Sequence, residues 1–124
     1  MHLTLVGLSH KTAPVEIREK LTFPANRQED ALARLTASDA VSEAVIVSTC
    51  NRTEIYAVTA DGHDGPGAII DFAADYHDLD RHELVRYLYI SEGDAVVKHA
   101  QELGLQIEGK IADLVEKKSA AMRR

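Results

Sequence analysis

Among its 124 residues the chain has one cysteine, no tryptophan, two phenylalanines and three prolines. A single cysteine forbids an internal disulfide and fits a reducing, cytoplasmic setting. No apolar run reaches the roughly 18 residues of a membrane-spanning helix. The N-terminus lacks the basic segment and long apolar stretch of a secretory signal. No Gly-x-Gly-x-x-Gly follows any strand-like run, so no dinucleotide is expected to bind by the usual route. His63, His77 and His82 show no ligand spacing, and with one Cys a zinc site is not expected. Neither an internal repeat nor a low-complexity segment is present.

What is there describes one soluble domain with a modest core: 45% hydrophobic and 27% charged residues. The net charge of −6 is uneven. Residues 1–36 carry five Lys/Arg against four Asp/Glu, residues 37–100 four against twelve, and residues 101–124 five against four. Most of such a surface repels a polyanion, so any contact with nucleic acid has to be local. Lys11, Arg18, Lys20, Arg27 and Arg34 make the N-terminal third the least unfavourable face; charge alone equally describes solvated surface residues.

Residues 2–9 alternate as a strand with Leu3, Leu5 and Gly7 on one face. The polar turn 9–12 follows, and Pro14 fits the first turn of a short helix carrying Val15, Ile17 and Leu21. Pro24 ends that segment. Asn26 with Glu29 reads as a capping-box variant opening a helix to about Ala37, with Ala31, Leu32 and Leu35 inward. Residues 43–49 and 53–60 read as strands in a tight antiparallel pair. Residues 61–67 are a loop by composition, followed by a helix with Ile69, Phe72, Ala73 and Tyr76 on one face. Asp80 with Glu83 caps another short helix. Residues 87–90 read as a brief strand, and Ser91 with Asp94 as the cap of a helix holding Val96, His99, Ala100 and Leu103. This order predicts an α+β fold: a ferredoxin-like split βαβ sandwich, its antiparallel sheet covered by helices, plus a C-terminal helix.

Cys50 stands where an apolar strand-like run, Ala44-Val45-Ile46-Val47, meets the polar turn Ser48-Thr49-Cys50-Asn51-Arg52. That placement suits a nucleophile, and Arg52 can lower a thiol pKa or clamp a carboxylate. Cysteine is also a small, usually buried hydrophobe, and position alone leaves both readings open. By pattern alone His99 reads as a core histidine, Thr49 and Asn51 as turn formers, and Arg52 equally as a carboxylate clamp or a surface partner of Glu54. His10, in the polar turn, reads either as a turn residue or as a substrate-facing group.

Two long motifs in this order carry a resemblance. Gly7-Leu8-Ser9-His10-Lys11-Thr12-Ala13-Pro14-Val15-Glu16-Ile17-Arg18-Glu19-Lys20-Leu21, followed by Ser48-Thr49-Cys50-Asn51-Arg52-Thr53-Glu54-Ile55-Tyr56, resembles glutamyl-tRNA reductase, over residues 1 to about 100. The resemblance covers that family's N-terminal catalytic domain, with no counterpart of the NADPH domain or the dimerisation helices. It implies Cys50 as the nucleophile forming a thioester with glutamate, and His99 as a second catalytic group that moves a proton or polarises the carbonyl. It implies Thr49, Asn51 and Arg52 as substrate contacts. It further implies NADPH as cofactor of the full enzyme and none for this chain. The implied partners are glutamyl-tRNA(Glu) and the next enzyme, glutamate-1-semialdehyde aminomutase, and the family is homodimeric. Residues 101–124 depart from the family as a helical tail or through a deletion; under the deletion, Gln106 matches a substrate-contacting Gln. Two other classes are a non-catalytic binding module of the same fold and a thiol-based regulatory domain acting through Cys50 and His99.

Overall fold

In the computed structural model the described residues are 2–102. They run β1 (His2–Ser9), α1 (Val15–Lys20), α2 (Ala25–Thr36), β2 (Val41–Ser48), β3 (Arg52–Thr59), α3 (Gly65–Tyr76), α4 (Arg81–Val85), β4 (Tyr89–Glu92) and α5 (Asp94–Glu102). The four strands form one antiparallel sheet in the order β2-β3-β1-β4. This is the ferredoxin-like split βαβ arrangement that the element order predicts. The expected C-terminal helix beyond residue 102, and Gln106 with it, lies outside the described residues.

The central strands β1 and β3 are buried almost end to end, because both faces of the sheet are covered. On one face Val6, Ile55 and Ala57 pack against Phe23, Ala31, Leu35, Ile69 and Ile70 from the α2–α3 layer. On the other, Leu3, Leu5, Tyr56 and Val58 pack against Val96 and Ala100 of α5. A third cluster, Leu8, Ala13, Leu21, Ala73 and Leu84, closes the end of the sheet where α1 and α4 sit.

Several boundaries differ from the sequence reading, each for a local reason. Pro24, extended at φ −59° and ψ 148°, stands at the N-cap of α2 with no side-chain cap bond. Asn26 is therefore the second residue of the helix, where it no longer has the extended backbone a capping side chain needs; Glu29 lies beyond the first turn, and no capping box forms. The glycine-rich segment is helical from Gly65: Asp64 caps α3 by accepting a hydrogen bond from the Gly67 N–H at 3.0 Å. Gly65 is required there by contact, since a Cβ would lie 2.6 Å from Thr59 Cγ2. Asp80 caps α4 as expected. The last strand is shifted to Tyr89–Glu92 because Tyr87 and Leu88 turn back on Leu84 and Val85 and pack in the third cluster. Ser91 is then a strand residue opposite Leu5, not a cap, and Gly93 at φ 65° makes the turn into α5.

Candidate active site

The β2–β3 connection is a tight hairpin turn. The Thr49 N–H donates to the Arg52 carbonyl at 2.8 Å, and Thr49 Oγ1 accepts from the N–H groups of Asn51 and Arg52. Thr49 thus forms the turn itself. Cys50 sits at its tip with an exposed, free thiol. Two neighbours hold the tip from the β1–α1 side. The His10 N–H donates to the Asn51 carbonyl at 2.8 Å. Arg18 donates through Nε to the Cys50 carbonyl at 3.2 Å and through Nη1 to the Ala13 carbonyl at 2.8 Å. Arg18, which sequence reading counted among surface charges, ties α1 to the cysteine turn.

Beyond the turn, β3 carries Arg52, Glu54 and Tyr56 on the α5 face by strict alternation. Glu54 is fully buried and is the centre of a polar cluster. Its Oε1 accepts from Tyr56 Oη at 2.9 Å. Its Oε2 accepts from Tyr89 Oη at 2.6 Å, lies 2.6 Å from His99 Nε2, and lies 3.8 Å from Arg52 Nη1. Four elements are not needed: β3 supplies three members, β4 the fourth and α5 the fifth. The Tyr89 and His99 rings lie 5.6 Å apart, tilted at 50°. Burial, reinforced by the adjacent Glu54 carboxylate, pushes both phenols well above the ordinary tyrosine range, so they remain O–H donors. A buried carboxylate is tolerable only with such a set of donors.

The structure therefore brings Thr49, Cys50, Asn51 and Arg52 together in one turn, and joins Arg52 to His99 through Glu54. Among the described residues no hydrogen bond links the Cys50 thiol directly to His99. His99 is not an ordinary core histidine: its side chain is 27% exposed and its Nε2 lies 2.6 Å from the buried Glu54 carboxylate. Sequence reading missed Glu54, Tyr56 and Tyr89 as members of this cluster. The available signal was a carboxylate inside the strand Arg52–Thr59, opposite a glycine in its neighbour.

Among the described residues no group of three His, Cys, Asp or Glu side chains is arranged to hold a metal ion, and no helix is long and apolar enough to cross a membrane. The glycine-rich turn between β3 and α3 does not fit a dinucleotide. Its helix N-terminus is filled by the Asp64 carboxylate, which would repel a pyrophosphate where such a ligand needs free N–H groups.

Residues 6–111 match the sequence profile of the family described as glutamyl-tRNA(Glu) reductase, N-terminal domain. The chain is 43% identical over 111 residues to the glutamyl-tRNA reductase of Pelobacter propionicus, covering 90% of this chain and 26% of that protein. To the glutamyl-tRNA reductase of Bacillus subtilis it is 46% identical over 99 residues, covering 80% of this chain and 22% of that protein. The chain thus spans about a quarter of the length of the curated relatives it matches. Among solved structures it is similar to the glutamyl-tRNA reductase of Methanopyrus kandleri, with a TM-score of 0.51 and 29% identity over 78% of this chain and 20% of that one.

Proposed function

The chain belongs to the glutamyl-tRNA reductase family, as its N-terminal domain, and from that premise we propose that it performs the acyl-capture half of that enzyme's reaction. The Cys50 thiolate attacks the ester carbonyl of glutamyl-tRNA, the bond to the tRNA hydroxyl breaks, and glutamate is held on Cys50 as a thioester. His99 supplies a proton to the departing hydroxyl oxygen. Arg52 holds a glutamate carboxylate; its guanidinium meets Glu54 only at 3.8 Å and retains donors for a planar, two-toothed partner. The Asn51 side-chain amide stabilises the developing oxyanion, since the N–H groups of Thr49, Asn51 and Arg52 are engaged within the turn. Gln106 belongs to the same proposal as a substrate contact.

The observation that carries this reading is an exposed thiol at the tip of a hydrogen-bonded hairpin turn, two residues before an arginine that lies 3.8 Å from a buried acid. In the full enzyme, NADPH would supply hydride to reduce the thioester to glutamate-1-semialdehyde. The remaining parts of the proposal are a cytoplasmic location, homodimers of the full-length enzyme, and delivery of the aldehyde to an aminomutase.

The test is incubation with glutamyl-tRNA, with mass spectrometry for glutamate on Cys50 and an aldehyde trap in the presence of NADPH. The expected result is weak formation of a thiol-labile adduct and no aldehyde. Absence of any adduct would instead favour a binding module of the same fold.

A further inference from the structure

We infer that Glu54 is a positioning residue that fixes the tautomer and the orientation of His99, so that His99 Nε2 keeps its proton against Glu54 Oε2 and Nδ1 is the nitrogen left for proton exchange with substrate.

The argument begins with what a buried carboxylate can accept. Its two oxygens offer about four acceptor sites. Tyr56 occupies one on Oε1, at 2.9 Å, and Tyr89 one on Oε2, at 2.6 Å, each donating its phenolic proton. His99 Nε2 approaches the same Oε2 at 2.6 Å. With both phenols donating to it and the Arg52 guanidinium 3.8 Å away, the carboxylate stands among donors and acts as the acceptor. The short Nε2 contact therefore requires Nε2–H. In the neutral ring Nδ1 is then unprotonated, a free base. When Nδ1 takes a proton, the imidazolium is charge-paired with Glu54.

Both ends of the pair are restrained. Glu54 is fully buried and sits over Gly7, where a Cβ would come within 2.9 Å of its Cγ. His99 is carried on α5 between the buried Val96 and Ala100 positions, with its ring against Tyr89. The charged and titratable groups that meet the pair are Arg52 and Tyr56 of β3 and Tyr89 of β4. An acid–base histidine gains from such a fixed tautomer because only one nitrogen then has to be near the reacting atoms. The value of this for catalysis rests on the acyl-capture reading; the tautomer itself does not.

Two measurements test the inference. Long-range 1H–15N NMR of the histidine rings in the intact, 15N-labelled wild-type chain, taken where the rings are neutral, should show the Nε2–H tautomer for His99. A dominant Nδ1–H tautomer overturns the inference without any variant having to fold. The second is single-turnover acylation of Cys50 by glutamyl-tRNA, comparing wild type with Glu54→Gln. The maximal rate should fall by a large part of the roughly 10²–10⁴-fold that a placed acid–base supplies, with a smaller change in the half-saturating concentration, and the Nε2–H preference should be lost. A Glu54→Gln protein that acylates at the wild-type rate overturns the positioning role. Wild-type chain that shows the Nε2–H tautomer but never acylates supports the positioning and removes the acyl-capture reading, so the two failures are separable.

Discussion

Gly7 and Glu54 face one another in the β1–β3 register, and the missing side chain of the first makes the space for the second. A Cβ on Gly7 would stand 2.9 Å from Glu54 Cγ and 3.0 Å from the Thr53 carbonyl oxygen. The glycine is needed for close approach, since it is β-strand backbone and not a positive-φ position. Through Glu54 it sets where Tyr56, Tyr89, Arg52 and His99 can converge.

Gly7→Ala should consequently cost about 1–3 kcal/mol, the usual range for forcing an extra carbon into a packed interior. Urea unfolding measures this as a lowered midpoint at unchanged slope. The His99 ring resonances should move as well, because Glu54 must shift to admit the methyl.

Cys50→Ser should separate function from stability. The thiol is exposed and free, so the unfolding free energy should stay within about 0.5 kcal/mol of wild type. The glutamyl adduct should be absent by mass spectrometry. An adduct found on the serine variant at wild-type levels would place the nucleophile elsewhere.

Arg52→Lys keeps the charge beside Glu54 but loses the planar fork. Loss of a charged hydrogen bond of about 1.5–3 kcal/mol should slow capture of the glutamyl group on the order of 10- to 100-fold. The half-saturating concentration should carry most of that change, since the arginine is proposed to bind a substrate carboxylate.

The tyrosines make a prediction at alkaline pH. Burial and Glu54 raise the folded-state pKa of Tyr56 and Tyr89 above the ordinary 10.0. The unfolded chain then loses these protons first. Their contribution to stability is fully present below pH 10 and is lost progressively as pH rises above it. Denaturant unfolding between pH 8 and pH 11 should show this fall, with a smaller slope in Tyr56→Phe and in Tyr89→Phe.

His77 gives the opposite sign on the acid side. It packs edge-on against Phe23, with ring centroids 4.5 Å apart, and its Nε2 is buried without a hydrogen-bond partner among the described residues. Burial lowers its pKa below the ordinary 6.5. The unfolded chain takes up the proton first, so stability is present above pH 6.5 and falls as pH drops below it. A His77→Phe variant should show a shallower loss between pH 7 and pH 5; identical slopes would assign the loss to other groups.

The local signals in the chain determined a great deal. Alternation in residues 2–9, the paired runs around the Cys50 turn and the Asp80 cap are short-range features, and the structure has all three. The order of elements matched the antiparallel ferredoxin-like sheet, because a tight β2–β3 hairpin between two helical crossovers is the split βαβ pattern. The cysteine, arginine and histidine of the proposed site were named through the family resemblance; the apolar-face position of His99 by itself pointed to a core histidine. Boundaries failed where a competing local preference won, as at Pro24 over Asn26, or where apolar residues found a cluster instead of a strand, as Tyr87 and Leu88 did. Only the tertiary structure decided that Glu54 is buried and what it holds. Its hydrogen-bond partners Tyr89 and His99 are 35 and 45 residues away along the chain. They meet it because β1 places Gly7 opposite Glu54, β4 pairs on the far side of β1, and α5 folds back over that face of the sheet. A single carboxylate within a strand has no local signature of such a role; its meaning is set by register and by packing.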